Sequence, residues 1–289
     1  MYRFGLFCSL SDNSLSTNRT INLKNLNYKN VENKVKQNAL EFIKLLEYCK
    51  QNNYPIFRLG NSFVPFISHK LFDKEWLKKL SPIFDETKER LKDFDIRVTI
   101  HPGQYTVLNS PKPNVIKNSL NELEMIFWLF DRLGIDENGT VLIHGGGAYD
   151  NKDEAIERLI STIEENSWLK QRLALENDER VFNTKEILEV CKESKLPMVF
   201  DAYHHSLNKS DFDPKEIIKT WENRRMKLHL SSKGEGRFGN HGEFIELNDF
   251  LTLKDIFIDE LKNIDIMVEA KKKELAIEKL KEEILKNDK

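Results

Sequence analysis

The sequence predicts an α/β fold, a (β/α)8 TIM barrel that forms a single domain over residues 1–289. Three observations lead to this prediction. Short apolar runs rich in Val, Ile, Leu and Phe alternate with longer segments of helical period along the whole chain. There are eight such pairs, the number that closes a barrel of parallel strands. No Pro-, Gly- or Ser-rich linker divides the 289 residues, a length that one α/β barrel can occupy.

The predicted strands are the short apolar runs. In chain order they are Arg3–Cys8, Pro55–Leu59, Ile96–Ile100, Thr140–His144, Leu173–Glu176, Pro197–Asp201, Met226–Leu230 and Asp265–Glu269. An open, doubly wound parallel sheet is the alternative architecture. No Gly-x-Gly-x-x-Gly or Walker loop follows the first strand, so we expect no nucleotide cofactor.

The predicted helices are the longer amphipathic segments between these strands. They are Val31–Asn52, Lys74–Asp93, Val115–Leu133, Asp153–Asn166, Thr184–Glu193, Pro214–Trp221, Asp249–Leu261 and Lys271–Leu285. Asp153 and Asp213 stand where an N-cap or first-turn acid stabilises a helix start.

Composition limits the kind of partner the chain can have. Its 45 Lys and Arg nearly balance 47 Asp and Glu, which gives a net charge of −2, so any nucleic-acid site must be local. Cys8, Cys49 and Cys191 are far apart and form no Cys-x-x-Cys pair, as is usual for reduced cytoplasmic thiols. Met125–Phe130 is the most apolar stretch and is far short of the roughly 20 residues that cross a bilayer. We expect a cytoplasmic monomer with no membrane partner.

Residues of the kind that bind metals gather where the strands end, the face of such a barrel that carries its chemistry. No histidine falls in a predicted helix. The histidines are His69, His101, His144, His204, His205, His229 and His241. Glu176, Asp201 and Glu269 each end an apolar run, so three carboxylates are expected to share one cavity.

Three carboxylates buried together are costly unless cations neutralise them. Nitrogen and oxygen ligands without thiolates suit Mn²⁺ or Zn²⁺, with Fe²⁺ a further option. The ligands are too many for one ion, and Glu176 could bridge two ions about 3.5–4 Å apart. The sequence therefore predicts a cluster of two or three divalent ions. For His205 we expect a structural role, because its side chain and that of His204 point to opposite sides of the backbone.

Lys227 precedes His229 by two residues on the same predicted strand, so both side chains point to one face. Inside the barrel such a lysine could steady a phosphate, donate a proton or be carbamylated into a metal ligand. An ion pair with Glu176 or Glu269 is the alternative.

Three loops could contact a substrate. Gln104 and Tyr105 follow a Pro-Gly turn and could hydrogen-bond to and stack on bases. The glycines at 145–147 would allow a close backbone approach by a phosphate, or simply form a tight turn. The loop 231–242 combines glycines with Lys233 and Arg237, which suits a mobile segment that faces phosphates.

Six segments resemble one family. They are His-Pro-Gly-Gln-Tyr (101–105), Ile-His-Gly-Gly (143–146), Leu-Glu-Asn-Asp (175–178), Phe-Asp-x-x-His-His (200–205), Lys-x-His-x-Ser (227–231) and Met-Val-Glu-Ala-Lys (267–271). Together they resemble the UV damage endonucleases. The resemblance implies a TIM barrel related to endonuclease IV, a three-metal cluster usually linked to Mn²⁺, and nicking of damaged double-stranded DNA on the 5′ side of ultraviolet photoproducts to begin alternative excision repair.

The resemblance also implies roles for individual residues. His101, His144 and Glu176 would hold one ion. Glu176, Asp201, His229 and Glu269 would hold a second. His204 and His241 would hold a third. His69 would lie beside the cluster, while Gln104 and Tyr105 would probe the duplex at the lesion. The chain departs from the family at Leu6 and Leu10, where a Tyr and an Asn often serve the lesion pocket.

The leading hypothesis is a metal-dependent phosphodiester hydrolase that leaves 3′-hydroxyl and 5′-phosphate ends. We assign catalytic roles to Glu176, His69 and Lys227. A metal-dependent sugar isomerase of xylose-isomerase-like architecture is the alternative, because fold does not fix function. A non-catalytic metal-binding or DNA-binding protein is a third possibility.

Overall fold

The predicted barrel is confirmed by a computed structural model that describes residues 2–258 and 260–287. Eight parallel strands close in sequence order, from β1 next to β2 round to β8 next to β1. The strands are β1 Arg3–Phe7, β2 Ile56–Leu59, β3 Arg97–Ile100, β4 Thr140–His144, β5 Leu173–Glu176, β6 Met198–Asp201, β7 Lys227–Leu230 and β8 Asp265–Val268. No strand end differs from its predicted position by more than one residue.

The helices of the described residues surround the barrel. They are α1 Tyr28–Gln51, α2 Glu75–Leu91, α3 Pro113–Leu133, α4 Lys152–Glu165, α5 Thr184–Ser194, α6 Ala202–Leu207, α7 Pro214–Lys219, α8 Leu247–Ile256 and α9 Lys273–Asn287. The last predicted helix but one was too long, since α8 ends at Ile256 and a separate 3-10 turn covers Leu261–Asn263.

Helix α6 was not predicted, and the expectation that no histidine lies in a helix is wrong for His204 and His205. The helix begins because Asp201, at the end of β6, accepts a hydrogen bond from the backbone N–H of His204 at 2.7 Å. Such a cap stabilises the first turn of a helix that is too short to be recognised by periodicity. As a result His204 points back toward the barrel mouth instead of lying in an extended loop.

Strand register brings the ends of neighbouring strands to one level. His144 pairs with Glu176 across β4 and β5, and Asp201 pairs with His229 across β6 and β7. Lys227 pairs with Asp265 one layer below. The parallel register therefore assembles the C-terminal mouth from residues that are far apart in sequence.

The opposite end of the barrel is closed by a charged group. Asp265 is fully buried and lies 2.7 Å from the Nε of Arg3 and 3.1 Å from an Nη of Arg97. The guanidinium of Arg97 also lies 5.3 Å from the ring centre of Trp221. These contacts satisfy the buried charges at that end.

The cysteines and the helices agree with the predictions from composition. Cys8, Cys49 and Cys191 are free cysteines. None of the described helices has both the length and the apolar character needed to span a membrane.

Candidate metal centre

Glu176 lies at the middle of the cluster at the C-terminal mouth. Its side chain is almost fully buried at the end of β5. One carboxylate oxygen, Oε1, lies 2.7 Å from the Nδ1 of His229. The other, Oε2, lies 3.2 Å from the Nε2 of His101 and 3.7 Å from the Nε2 of His144. The carboxylate therefore faces two groups of donors at once.

Two triads of donor atoms result, and Glu176 belongs to both. His101, His144 and Glu176 form the first, while Glu176, Asp201 and His229 form the second. Within each triad the donor atoms lie within 4.8 Å of one another, which is close enough for them to coordinate one ion.

Glu269 extends the second triad. Its Oε1 lies 3.2 Å from the Nδ1 of His229, and its Oε2 lies 3.6 Å from the Nδ1 of His241. Arg58, on β2, forms an ion pair with the same carboxylate and stacks on Phe7, with 4.8 Å between the guanidinium carbon and the ring centre. Sequence reasoning missed Arg58, although a single arginine inside the apolar run of β2 was the signal that could have revealed it.

His204 lies next to the two triads, between His144 and His241. Its ring centre lies 5.5 Å from that of His144 and 6.1 Å from that of His241. The Nδ1 of His204 lies 3.0 Å from the backbone carbonyl of Asn177, and its Nε2 lies 3.9 Å from a carboxylate oxygen of Glu179. Asn177 and Glu179 were also missed, because their positions depend on how the β5 loop folds back.

Backbone carbonyls fix the orientation of two of these histidines. The Nδ1 of His101 lies 3.0 Å from the carbonyl oxygen of Pro102, as that of His204 does from Asn177. A carbonyl only accepts hydrogen bonds, so Nδ1 carries a proton in both histidines, and Nε2 is the nitrogen that has a lone pair when the imidazole is neutral. Metal-binding histidines are commonly oriented in this way.

Several buried polar atoms of the mouth have no hydrogen-bond partner among the described residues. They are Glu176 Oε2, Asp201 Oδ2, His144 Nδ1, His229 Nε2, Lys227 Nζ and Ser231 Oγ. Buried polar atoms normally have partners, and carboxylate oxygens without donors are especially costly. A divalent cation would supply the missing interaction, so the residues present fit a metal cluster with nitrogen and oxygen ligands.

The electrostatics of the carboxylates agree with this interpretation. Burial raises the pKa of Glu176, but His229, His144 and His101 outweigh it and hold that pKa well below its usual value. Burial likewise raises the pKa of Glu269, yet Arg58 and His229 hold it far below normal. Both carboxylates are therefore ionised and able to act as ligands.

The pKa values of two histidines in the cluster shift in opposite directions. Burial lowers the pKa of His101 to about 4 despite the nearby Glu176, so this imidazole is neutral near pH 7. Burial also opposes the charged form of His204, but Asp201 and Glu176 outweigh it and raise the pKa of His204 to about 9. In the metal-free protein, a protonated His204 thus provides positive charge that a bound cation would replace.

Lys227 is fully buried below the cluster. Its Nζ has no hydrogen bond or ion pair among the described residues, and the pairing with Glu176 or Glu269 that the sequence allowed does not form. Burial and the nearby Arg58 lower the pKa of Lys227 to about 7, although Glu176 and Glu269 act in the opposite direction.

Two histidines lie outside the cluster. The Nδ1 of His205 lies 2.8 Å from the hydroxyl of Thr184, and its ring packs on Phe200 and Phe212, which is the structural role expected for it. His69, on the loop after β2, accepts a hydrogen bond at Nδ1 from the backbone of Leu71 and makes no contact with the ligands in the described part of the chain.

The cluster opens into a cavity of about 440 Å³. Gln104 lines it beside His101, and the neighbouring Tyr105 is 83% exposed. Leu6 is buried in the core and Leu10 packs against that core, so neither leucine lines this cavity.

Comparisons with known proteins also indicate an endonuclease. A family model described as UV-endonuclease UvdE matches residues 8–289. The UV DNA damage endonuclease of Bacillus cereus (strain G9842) is 31% identical over 258 residues, which cover 86% of this chain and 81% of that protein. A solved structure described as SacUVDE is 29% identical, with a TM-score of 0.88 and complete coverage of both chains.

One more distant structural neighbour shares the fold alone. D-psicose 3-epimerase from Clostridium cellulolyticum H10 is 14% identical, with a TM-score of 0.56 over 93% of this chain and 85% of that one. The barrel by itself therefore does not distinguish a nuclease from a sugar enzyme. The match over residues 8–289, together with a relative that is 31% identical over most of both chains, does distinguish them: the chain belongs to the UV-endonuclease UvdE family.

Proposed function

We propose that this protein is a metal-dependent DNA repair endonuclease that hydrolyses the phosphodiester on the 5′ side of ultraviolet photoproducts. As a member of the UvdE family it is an endonuclease that acts on damaged DNA. The products would carry 3′-hydroxyl and 5′-phosphate ends and would enter alternative excision repair. The proposed metal dependence rests on one observation, the position of Glu176 between two triads of donor atoms.

Three groups of residues are proposed to hold the cations. His101, His144 and Glu176 form the first; Glu176, Asp201, His229 and Glu269 form the second; His204 and His241 form the third. Mn²⁺ is the proposed metal, with Zn²⁺ and Fe²⁺ as the alternatives that the same donors accept. Divalent ions held in this way activate water and neutralise the charge that develops on a phosphodiester during hydrolysis.

The chain's own residues fix the ligands before substrate arrives. The ion pair with Arg58 holds Glu269 in place, and backbone carbonyls orient His101 and His204. Because these partners are already in position, little reorganisation is needed when charge develops on the phosphate.

Lys227 and His69 are proposed to assist the reaction from two sides. Lys227 lies beneath the cluster with a free Nζ, so its ammonium group can steady the phosphate or donate a proton to the departing 3′ oxygen. A pKa of about 7 suits proton transfer near neutral pH. His69 is on the same face of the barrel, on the loop after β2, and would act at the edge of the cluster.

Gln104 and Tyr105 are proposed to probe the duplex. Tyr105, on the loop after β3, is 83% exposed, and its chain neighbour Gln104 lines the cavity. An aromatic ring at that position can stack on bases that have left the helix. Extruding a nucleotide costs less where a lesion has already broken the stacking, so this contact would favour damaged DNA.

A sugar isomerase, the alternative from the sequence, is supported only by the fold shared with D-psicose 3-epimerase, whereas family membership supports an endonuclease. The cavity of about 440 Å³ could hold a sugar. The exposed ring of Tyr105 has no role with so small a substrate, which is why we favour DNA.

The test is nicking of supercoiled plasmid, irradiated or not, by purified protein loaded with Mn²⁺. Wild-type protein should nick irradiated plasmid selectively, and Glu176→Ala should abolish the activity. Glu157→Ala removes an exposed carboxylate of α4 and should behave as wild type. An aldose serves as the substrate for the sugar isomerase alternative. Sugar conversion without nicking, or full nicking by Glu176→Ala, would contradict the proposal.

A further inference from the structure

Exposed aromatic side chains are concentrated at the mouth of the barrel. Within the described part of the chain, the large hydrophobic side chains that are well exposed include six aliphatic ones and three aromatic ones. The aromatic ones are Tyr105, Tyr149 and Phe238, and they lie on the loops after β3, β4 and β7. All three loops are at the C-terminal end of the strands, where the candidate metal centre lies.

Phe238 lies on the opposite side of the mouth from Tyr105. The barrel closes with eight strands in sequence order, so β3 and β7 are four strands apart and lie diametrically opposite each other. The cavity at the mouth is lined by Gln104 of the β3 loop, Arg180 of the β5 loop and His241 of the β7 loop. Tyr105 is the chain neighbour of Gln104, and Phe238 packs on Arg180, so both aromatic residues adjoin residues that line the cavity.

The conformation of the β7 loop holds Phe238 in an exposed position. Gly236 and Gly239 have φ angles of +92° and +82°, which side chains other than glycine rarely adopt. The guanidinium carbon of Arg180 lies 5.1 Å from the ring centre of Phe238, and its Nη2 donates a hydrogen bond to the Phe238 carbonyl at 3.5 Å. Phe238 is 55% exposed, so it is not part of the hydrophobic core.

One cationic side chain packs on this aromatic ring, and two more belong to its loop. Lys233 and Arg237 belong to the same loop and are exposed, as is Glu235. The side chain of Arg180 is 61% exposed, and its Nε lies 3.4 Å from a carboxylate oxygen of Glu179. Aromatic rings among cations are the combination that binds unstacked nucleic acid, since bases stack on the rings and phosphates contact the cations. An intact duplex offers no unstacked base to such a ring.

We propose that Phe238, supported by Arg180, is a second damage-specific contact that stacks on a base unstacked at the lesion, across the mouth from Tyr105. This inference rests on the proposed function, because it requires damaged DNA as the substrate. Extruding a damaged dinucleotide removes the pairing of its partner bases, which makes those bases easier to unstack. Two aromatic contacts on opposite sides of the mouth allow the protein to engage both sets of bases.

The experiment compares Phe238→Ala with Phe238→Trp in nicking a duplex that carries one photoproduct, with intact duplex as a competitive inhibitor. Loss of one stacking contact should lower kcat/KM on the damaged duplex by about tenfold. The Ki of the intact duplex should remain nearly unchanged. Phe238→Trp should retain the wild-type kcat/KM, and Leu40→Ala, which removes an exposed side chain from α1, should have no effect.

Metal content and melting temperature accompany these rates, and both should match wild type in Phe238→Ala. An unchanged kcat/KM in Phe238→Ala, an equal loss of affinity for intact duplex, or failure of Phe238→Trp to restore activity would overturn the inference while leaving the proposed function in place. If wild-type protein itself does not nick the photoproduct duplex, the proposed function fails, and the role of Phe238 fails with it.

Discussion

The two ends of the barrel contain buried charges in opposite arrangements. At the N-terminal end, Asp265 has partners for both carboxylate oxygens, Arg3 and Arg97. At the C-terminal mouth, Glu176 and Asp201 each leave one buried oxygen without a donor. The same eight strands carry both groups, so the difference lies in which residues end each strand. The first group stabilises the fold, and the second is incomplete without cations.

The largest effect on stability should come from the N-terminal end. Asp265→Ala would leave Arg97 buried without its carboxylate, which costs about 3–5 kcal/mol of unfolding free energy. The loss should be the same with and without Mn²⁺, because this end holds no ligands. Chemical denaturation of both forms measures it, with the isosteric Asp265→Asn as the matched variant. A loss of stability that appears only with metal bound would contradict the claim that the N-terminal charges stabilise the fold independently of the metal centre.

A metal-dependent effect of pH should come from the mouth. The pKa of His204 is raised to about 9 in the metal-free protein, so its charged form stabilises that protein below the unfolded pKa. This stabilisation is lost as pH rises through about 9. A metal ligand must be neutral, so between pH 7 and 9 metal affinity should rise up to tenfold per pH unit, or about 1.4 kcal/mol.

Calorimetric titration in buffers of different ionisation enthalpy measures the proton released on metal binding. Wild-type protein at pH 7.5 should release about one proton more than His204→Ala. His241→Ala provides a comparison in which a proposed ligand is lost while His204 is kept. Equal proton release by wild type and His204→Ala would show that His204 does not join the cluster.

The smallest effect should come from the neighbouring histidine. His205→Ala removes the contact with Thr184 and should cost about 1 kcal/mol of stability without changing metal content or nicking. His204→Ala should lower metal content and nicking, since it removes a proposed ligand, and below about pH 9 the metal-free variant should also lose the stabilisation that charged His204 provides. Elemental analysis and thermal melting of the two variants test this contrast. Loss of metal from His205→Ala would contradict it.

Much of the barrel was predictable because its signals are local. The strands are compact apolar runs, so the sequence marks their extent, and β4, β5 and β6 also end in a polar residue, at His144, Glu176 and Asp201. Helix α6 was missed because it has six residues and depends on the cap from Asp201. Because of this cap, His204 lies in a helix and not in a loop.

The site was predictable to the extent that the fold brings strand ends together. His144 and Glu176 meet through register, which follows once parallel strands are assumed. The roles of Arg58 and Asn177 could not be predicted in this way. Arg58 on β2 reaches past β1 to Glu269 at the end of β8, and Asn177 contributes a backbone carbonyl, a group that every residue has.

The number of metal ions bound per chain tests the central claim most directly. Native mass spectrometry with elemental analysis of Mn²⁺-loaded protein should find two or three ions in the wild type. Glu176→Ala removes the ligand shared by both triads and should retain at most one, while remaining folded by circular dichroism. A single ion in the wild type, or the same number in Glu176→Ala, would contradict a cluster organised around Glu176.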